Sequence, residues 1–272
     1  MSERLTDIGV NLLNRQFQED RQAVIDRAHR AGVTRMLITC TDLAESRLGQ
    51  AFCQSNPEGF WCTAGVHPHH AKDVGPGWLE ELAELAGQPC VRAVGETGLD
   101  FNRNFSTPEQ QLAVFDAQLK LAANTGKPVF VHDRDSDGKT FELLSRYREK
   151  LAGVVVHCFT GTQTDLRHYL EAGFYIGITG WVCDPRRGGG LRDIVTMIPL
   201  DRLLIETDAP YLRPHNAPVS PEGPARHKRR NEPALLGCVA AQLAELYGIG
   251  EADIARASWQ NASRLFDLPD PA

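Results

Sequence analysis

"DRLLIETDAPY", Asp201 to Tyr211, is an apolar run that ends abruptly in two carboxylates. Leu203, Leu204 and Ile205 form a short strand with no polar position, as a strand covered on both faces requires. Glu206 and Asp208 follow with only Thr207 between them, and Ala209-Pro210 stops the strand. Carboxylates this close repel, and desolvation adds to the cost, so something at this strand end must favour negative charge.

Working outward, similar runs recur along the chain. They predict strands at Leu5–Val10, Arg35–Cys40, Phe60–Val66, Cys90–Gly95, Pro128–Val131, Gly153–Val156, Phe174–Ile178 and Arg202–Ile205. Amphipathic stretches alternate with them, among them "QEDRQAVIDRAHRA", "PEQQLAVFDAQLKLAANT" and "QTDLRHYLEA". In the first, Ala23, Val24, Arg27 and Ala28 fall at helical spacing with charge on the other side. Pro108 after Thr107 marks a helix start. Eight strand–helix units in 272 residues predict a (β/α)₈ TIM barrel. An open doubly wound sheet would carry a Gly-rich phosphate turn after its first strand, and "DIGVNLLNRQ" is not one. No composition shift marks a boundary, so residues 1–272 read as a single domain. Arg213–Arg230, rich in Pro and base, reads as an extended loop after the last strand.

The composition is that of a soluble globular protein, with 42% hydrophobic and 24% charged residues. The net charge of −6 excludes a broad basic surface, yet leaves room for a local basic patch or a bound cation that recruits phosphates. Seven cysteines, odd in number and without a C-x-x-C pair, read as buried free thiols in a reducing compartment. The N-terminus lacks a signal pattern and no apolar run is long enough to span a bilayer, so the expectation is a cytoplasmic protein away from membranes.

The other strands answer the question that Asp208 raises. "VRAVGE" ends at Glu96, "KPVFVH" at His132 and "GVVVH" at His157, while "TAGVHPHH" adds His67, His69 and His70. A barrel gathers these strand ends at its C-terminal rim, where carboxylates and imidazoles together suit a divalent metal. Alone, a His after a strand is more often a hydrogen-bonded rim residue than a ligand, and Glu96 could cap the following loop; the series across four strands carries the metal reading. Glu206 is expected to pair with a base or to be exposed, outside the ligand set. His67, fixed before Pro68, suits a phosphate donor or general acid, or else a partner that orients a ligand. His69 and His70 read as rim residues. A Cys158–His157 nucleophile is set aside, because neighbours in a strand point to opposite faces. "PARHKRRNEP" is either a solvated loop or a phosphate grip through Arg226, Lys228, Arg229 and Arg230.

In order, "DIGVNL", "TAGVHPH", "GETGLDF", "PVFVHDRD", "VVHCFTG", "YIGITGW", "IETDAPYL" and "RRNEP" resemble the motifs of the TatD family of metal-dependent nucleases, from Asp7 to about Phe266. The resemblance implies an amidohydrolase-like metal-dependent hydrolase barrel. Its TatD-type branch is a Mg²⁺-dependent exonuclease that degrades single-stranded DNA and RNA from the 3′ end and is linked to DNA repair. The resemblance implies that Glu96 bridges two ions, that His132 and His157 hold one and Asp208 the other, and that His67 is catalytic beside Glu96. Arg226, Arg229, Arg230 and Asn11 are the expected substrate contacts, with Phe101, Phe105, Trp181 and Tyr211 as stacking faces. The protein is expected to act as a monomer.

Many relatives open with Asp-x-His-x-His. Here the pattern is Asp7-x-Gly9-x-Asn11, so two imidazoles are absent and one ion should be held loosely through oxygen, which suits Mg²⁺ better than Zn²⁺, with Mn²⁺ also able to serve. The competing readings are a metal-dependent esterase or amidohydrolase, for example on an aminoacyl-tRNA ester, and a non-catalytic nucleic-acid-binding or export-associated protein.

Overall fold

Each apolar run becomes one strand of a single parallel sheet. The computed structural model describes residues 4–218 and 229–269. Its strands are β1 (Leu5–Val10), β2 (Val33–Ile38), β3 (Phe60–Ala64), β4 (Val91–Asp100), β5 (Val129–Arg134), β6 (Val154–Val156), β7 (Tyr175–Ile178) and β8 (Leu203–Ile205). They pair in chain order. Between them run helices α1 (Arg21–Arg30), α2 (Leu43–Ser55), α3 (Trp78–Ala86), α4 (Pro108–Thr125), α5 (Lys139–Tyr147), α6 (Gln163–Glu171) and α7 (Gly189–Ile194), and α8 (Leu236–Tyr247) and α9 (Glu251–Phe266) follow β8. The sheet curls until its ends meet: past β8, Asp208 N–H donates to Gly9 O and Asn11 N–H to Ala209 O, each at 2.8 Å. This is the expected (β/α)₈ barrel.

The barrel interior is filled by one buried side chain from every strand: Ile8, Leu37, Trp61, Ala93, Phe130, Val155, Tyr175 and Leu204. Ala262, Leu265 and Phe266 of α9 join this layer. Each large apolar side chain removed from water here stabilises the fold by about 1.5–3 kcal/mol. The layer is also the floor of the site above it, and the His157 ring lies over Phe130 with centroids 4.6 Å apart.

Local chemistry sets the helix ends. Thr107 and Gln110 form a reciprocal capping box around Pro108, and Gly126 takes the left-handed conformation that closes α4, so this helix occupies the stretch the sequence marks out. α1 starts later than its amphipathic stretch, at Arg21, because Asp20 is held outside the helix by ion pairs with Arg27 and Arg230. Its buried stripe is Val24, Ile25 and Ala28, and Ala23 faces solvent. β4 runs on to Asp100 instead of ending near Glu96, past a register shift against β5 between Val94 and Thr97. Gly98 permits this close passage: at φ 138°, a Cβ there would lie 1.9 Å from His132 O.

Candidate metal centre

The C-terminal mouth of the barrel opens into a cavity of about 570 Å³. His67, Glu96, His132, His157, Asp208 and Asn11 all line it, so the strand ends converge as expected. Glu96, 7% exposed, stands at the centre. Its Oε1 lies 2.8 Å from His157 Nε2, 3.1 Å from His132 Nδ1 and 3.3 Å from His67 Nε2. Burial alone would raise the Glu96 carboxyl, but His157, His67 and His132 outweigh it and hold the group well below the usual carboxylate range.

The three imidazoles differ. Burial brings His67 down to about 4, against the pull of Glu96. Its Nδ1 accepts the His69 N–H at 3.1 Å, so the neutral ring carries its proton on Nε2, aimed at Glu96. His157 goes the other way. Burial opposes its charged form, but Glu96 and Glu206 together raise it well above the ordinary value. His132 is also raised against burial, by Asp100 and then Glu96. Its Nε2 is buried, 3.4 Å from Asp100 Oδ2, without a well-formed hydrogen bond.

Asp208 closes the other side of the site. Asn11 Nδ2 donates to its Oδ1 at 2.9 Å, and burial, with Glu96 and Glu206 nearby, pushes its carboxyl up to about 7. Asp7 of the first-strand motif is fully buried and accepts from Thr207 N–H, the Thr207 hydroxyl and Gly9 N–H, which ties β1 to the Asp208 turn. Burial raises it to about 7 as well.

These residues fit a divalent cation. His67, Glu96 and His132 each offer a donor atom within 4.8 Å of the others, His157 reaches the same carboxylate oxygen, and the half-buried Asp208 carboxyl, among the described residues, takes its side-chain hydrogen bond from the neutral Asn11 amide.

Several expectations change. Glu206 takes only one of its two expected roles: it is fully buried instead of exposed, and it pairs with a base, its Oε2 3.4 Å from His157 Nδ1, while Oε1 accepts Cys158 N–H at 2.5 Å. It thus fixes the far side of a ring whose near side meets Glu96. Gly9 and Gly177 leave its carboxylate room, since a Cβ at either would lie 2.1 or 2.5 Å from one of its oxygens.

Arg230 does not face the cavity. It is 6% exposed, donates to both oxygens of Asp20 and to Glu232 at 2.7–2.8 Å, and covers the Phe17 ring. Those partners hold both terminal nitrogens in a buried place, while Nε is buried without a hydrogen-bond partner among the described residues, so its expected phosphate contact is corrected to a structural one. Asn231 beside it donates to Thr207 O at 2.8 Å, so "RRNEP" clamps the Asp208 turn. Arg229 is exposed, while Arg226 and Lys228 lie outside the described residues.

Cys158 lies past the end of β6 with φ 45°, so strand alternation does not govern it, and it lines the cavity. Burial and the Asp208 and Glu206 charges push its thiol well up, which disfavours a nucleophilic thiolate. The sequence reading misses Asp100, which takes His69 Nε2 at 2.8 Å opposite His132. Its signal is present, because Asp100 follows Glu96 by four residues on one strand and so shares its face. Arg103 and Arg134 also line the cavity and bring positive charge to its wall. Phe105 and Tyr211 are half exposed, Phe105 edge-on to His69 and Tyr211 at the cavity wall.

The family model described as TatD related DNase matches residues 6–267. The chain belongs to this family. The TatD-family relative from Erwinia tasmaniensis, a 3′-5′ ssDNA/RNA exonuclease TatD, is 48% identical over 262 residues, 96% of this chain and 99% of that protein. The protein of the same description from Erwinia billingiae is 49% identical, over 97% of this chain and 99% of its own. Among solved structures, a TatD homologue from Escherichia coli K12 superposes with a TM-score of 0.87 at 30% identity, over 99% of this chain and all of that one.

Proposed function

We propose that this chain, as one barrel domain over 1–272, hydrolyses phosphodiester bonds of single-stranded DNA and RNA from the 3′ end with a divalent cation. The observation that carries the reading is the convergence of three imidazole nitrogens within 3.3 Å of one Glu96 oxygen, in a cavity that also presents two arginines. The family and the names of its relatives support the same chemistry.

Glu96, His132, His157 and Asp208 would hold the cation. A bound divalent ion lowers the pKa of a water and offsets charge on the phosphoryl group. Glu206 keeps the His157 Nδ1 proton and so presents Nε2 to the centre. His67 keeps its proton on Nε2, where it can donate to a phosphate or leaving oxygen. Arg103 and Arg134 attract the backbone phosphates, and Arg226 and Arg229 extend that attraction along the strand. Phe105 and Tyr211, and Trp181 in the cavity wall, offer faces for unstacked bases, while Asn11 orients Asp208. The oxygen donors on the Asp208 side favour Mg²⁺, and the imidazole side also accepts Mn²⁺ or Zn²⁺. A cytoplasmic monomer acting in DNA repair fits this reading. Among the described residues no single helix is long and apolar enough to cross a membrane.

The test is a single-stranded oligonucleotide labelled at either end, incubated with Mg²⁺, Mn²⁺, Zn²⁺ or chelator beside a panel of carboxylic esters. A ladder shortening from the 3′ end only with cation is the expected result. Full activity after exhaustive chelation, or turnover of esters alone, overturns the proposal.

A further inference from the structure

All seven cysteines are free thiols, and four of them share one place on the outer face of the barrel wall. Cys62 on β3, Cys53 of α2 and Cys40 past β2 lie in one buried cluster, and Cys90, just before β4, packs against it with its Sγ 3.9 Å from Gln50 O of α2. Gly49, one turn before Cys53 on α2, makes the space: a Cβ there would lie 2.7 Å from Cys40 Sγ and 3.5 Å from Cys62 Sγ. Cys62 N–H donates to Cys90 O at 3.0 Å, so those two also meet across adjoining strands.

The cluster does not form a tetrahedral thiolate hole. Among the described residues, the group of three ligating side chains whose donor atoms all lie within 4.8 Å of one another is His67, Glu96 and His132, not any three of these cysteines. Zinc tetrathiolates need closer sulfurs, set by Zn–S bonds of about 2.3 Å. Chemistry between pairs of sulfurs is what the arrangement allows. Cys90 is the member that meets solvent, and Lys127 and Arg92 place positive charge beside it.

We propose that Cys90 and Cys62 are a reactive thiol pair that a hydroperoxide converts to a disulfide. The Cys90 thiolate attacks one peroxide oxygen, forming an S–O bond as the O–O bond breaks and the departing oxygen takes a proton. The Cys62 sulfur then attacks Cys90, the S–S bond forms, and hydroxide leaves and takes the Cys62 proton as water. Two thiols lose two electrons in all, and the peroxide gains them. The division of roles follows the surroundings. Cys90 is the half-buried member, and its neighbour Cys62 with Lys127, whose Nζ donates to Val91 O at 2.7 Å, and Arg92 lower its thiol against burial, whereas the neighbouring thiols push Cys62 up.

The test exposes the reduced full-length protein to hydrogen peroxide, blocks remaining thiols and maps peptides after cleavage at glutamate, which at Glu45 and Glu58 separates Cys40, Cys53 and Cys62. A peptide holding Cys62 joined to one holding Cys90, released by dithiothreitol, is the expected result. Cys90→Ser should abolish the link, leave Cys62 a free thiol and leave hydrolysis of single-stranded DNA by the reduced enzyme unchanged. Over-oxidation of Cys90 without a cross-link, a cross-link that survives in Cys90→Ser, or a link confined to Cys183 and Cys238 overturns the proposal. So does a zinc ion that Glu96→Ala retains and Cys62→Ser loses.

Discussion

Two charge clusters, each partly buried, are linked in this barrel by the Asn231–Thr207 hydrogen bond, and they are built on opposite principles. Around Arg230, the carboxylates of Asp20 and Glu232 are matched by the guanidiniums of Arg27 and Arg230 at 2.7–3.4 Å. Around Glu96, the carboxylates of Glu96, Glu206 and Asp208 meet only imidazoles, amides and backbone, and among the described residues no lysine or arginine touches them. Permanent cations close the first cluster for good. The second gets its positive charge from groups that can exchange a proton for a metal ion. A cluster of acids whose neutralising charge is removable is a site; one whose charge is built in is a clamp.

The comparison breaks most visibly at its centre. Glu96→Ala should lower turnover on single-stranded DNA by about a thousand-fold or more, the several kcal/mol that a metal-held centre supplies. Its circular dichroism should match the parent protein, and added cation should raise the melting temperature of the parent but not of the variant. Turnover that stays unchanged would end the metal-centre assignment. Arg230→Ala is the counterpart, expected to lower unfolding free energy by about 3 kcal/mol because Asp20 and Glu232 lose a partner in a largely buried place. A raised KM at unchanged stability would show instead that Arg230 grips the strand.

Glu206→Gln sharpens the boundary between the two kinds of cluster. Removing the charge behind His157 should cost about 10–100-fold in cation affinity or activity, recovered in part by more cation, and a cation titration of oligonucleotide cleavage reads it. Smallest is Arg229→Ala, alone or with Arg226→Ala. KM for oligonucleotides should rise a few-fold with turnover kept, and the salt dependence should flatten by roughly 0.7 in slope per lost contact. Equal loss on a small chromogenic phosphodiester would place these arginines in support of the site.

What the sequence discloses depends on how local the physics is. α4 is legible to the residue because Thr107, Pro108, Gln110 and Gly126 fix its ends from within. The eight strands are legible as apolar runs, with β2 two residues early and β4 extended by a register shift that no local pattern carries. Glu96, His132, His157 and Asp208 announce themselves by recurring at strand ends. Arg230 does not, because whether a basic residue binds a ligand or an acid depends on Asp20, which lies at the far end of the chain and becomes its neighbour only when the barrel closes. For Glu206 a basic partner is expected, but that the partner is His157, two strands away, emerges only from the closed barrel.

The glycine at position 9 makes the missing first-strand imidazoles hard to restore. A histidine returned there would bring its first side-chain carbon to within 2.1 Å of a Glu206 oxygen, so the carboxylate, for which Gly177 also leaves room, would have to shift. Trimming Glu206 first would leave His157 unsupported. A histidine at position 9 is therefore coupled to His157 through Glu206, because the carboxylate that makes room for the one is the carboxylate that stands behind the other.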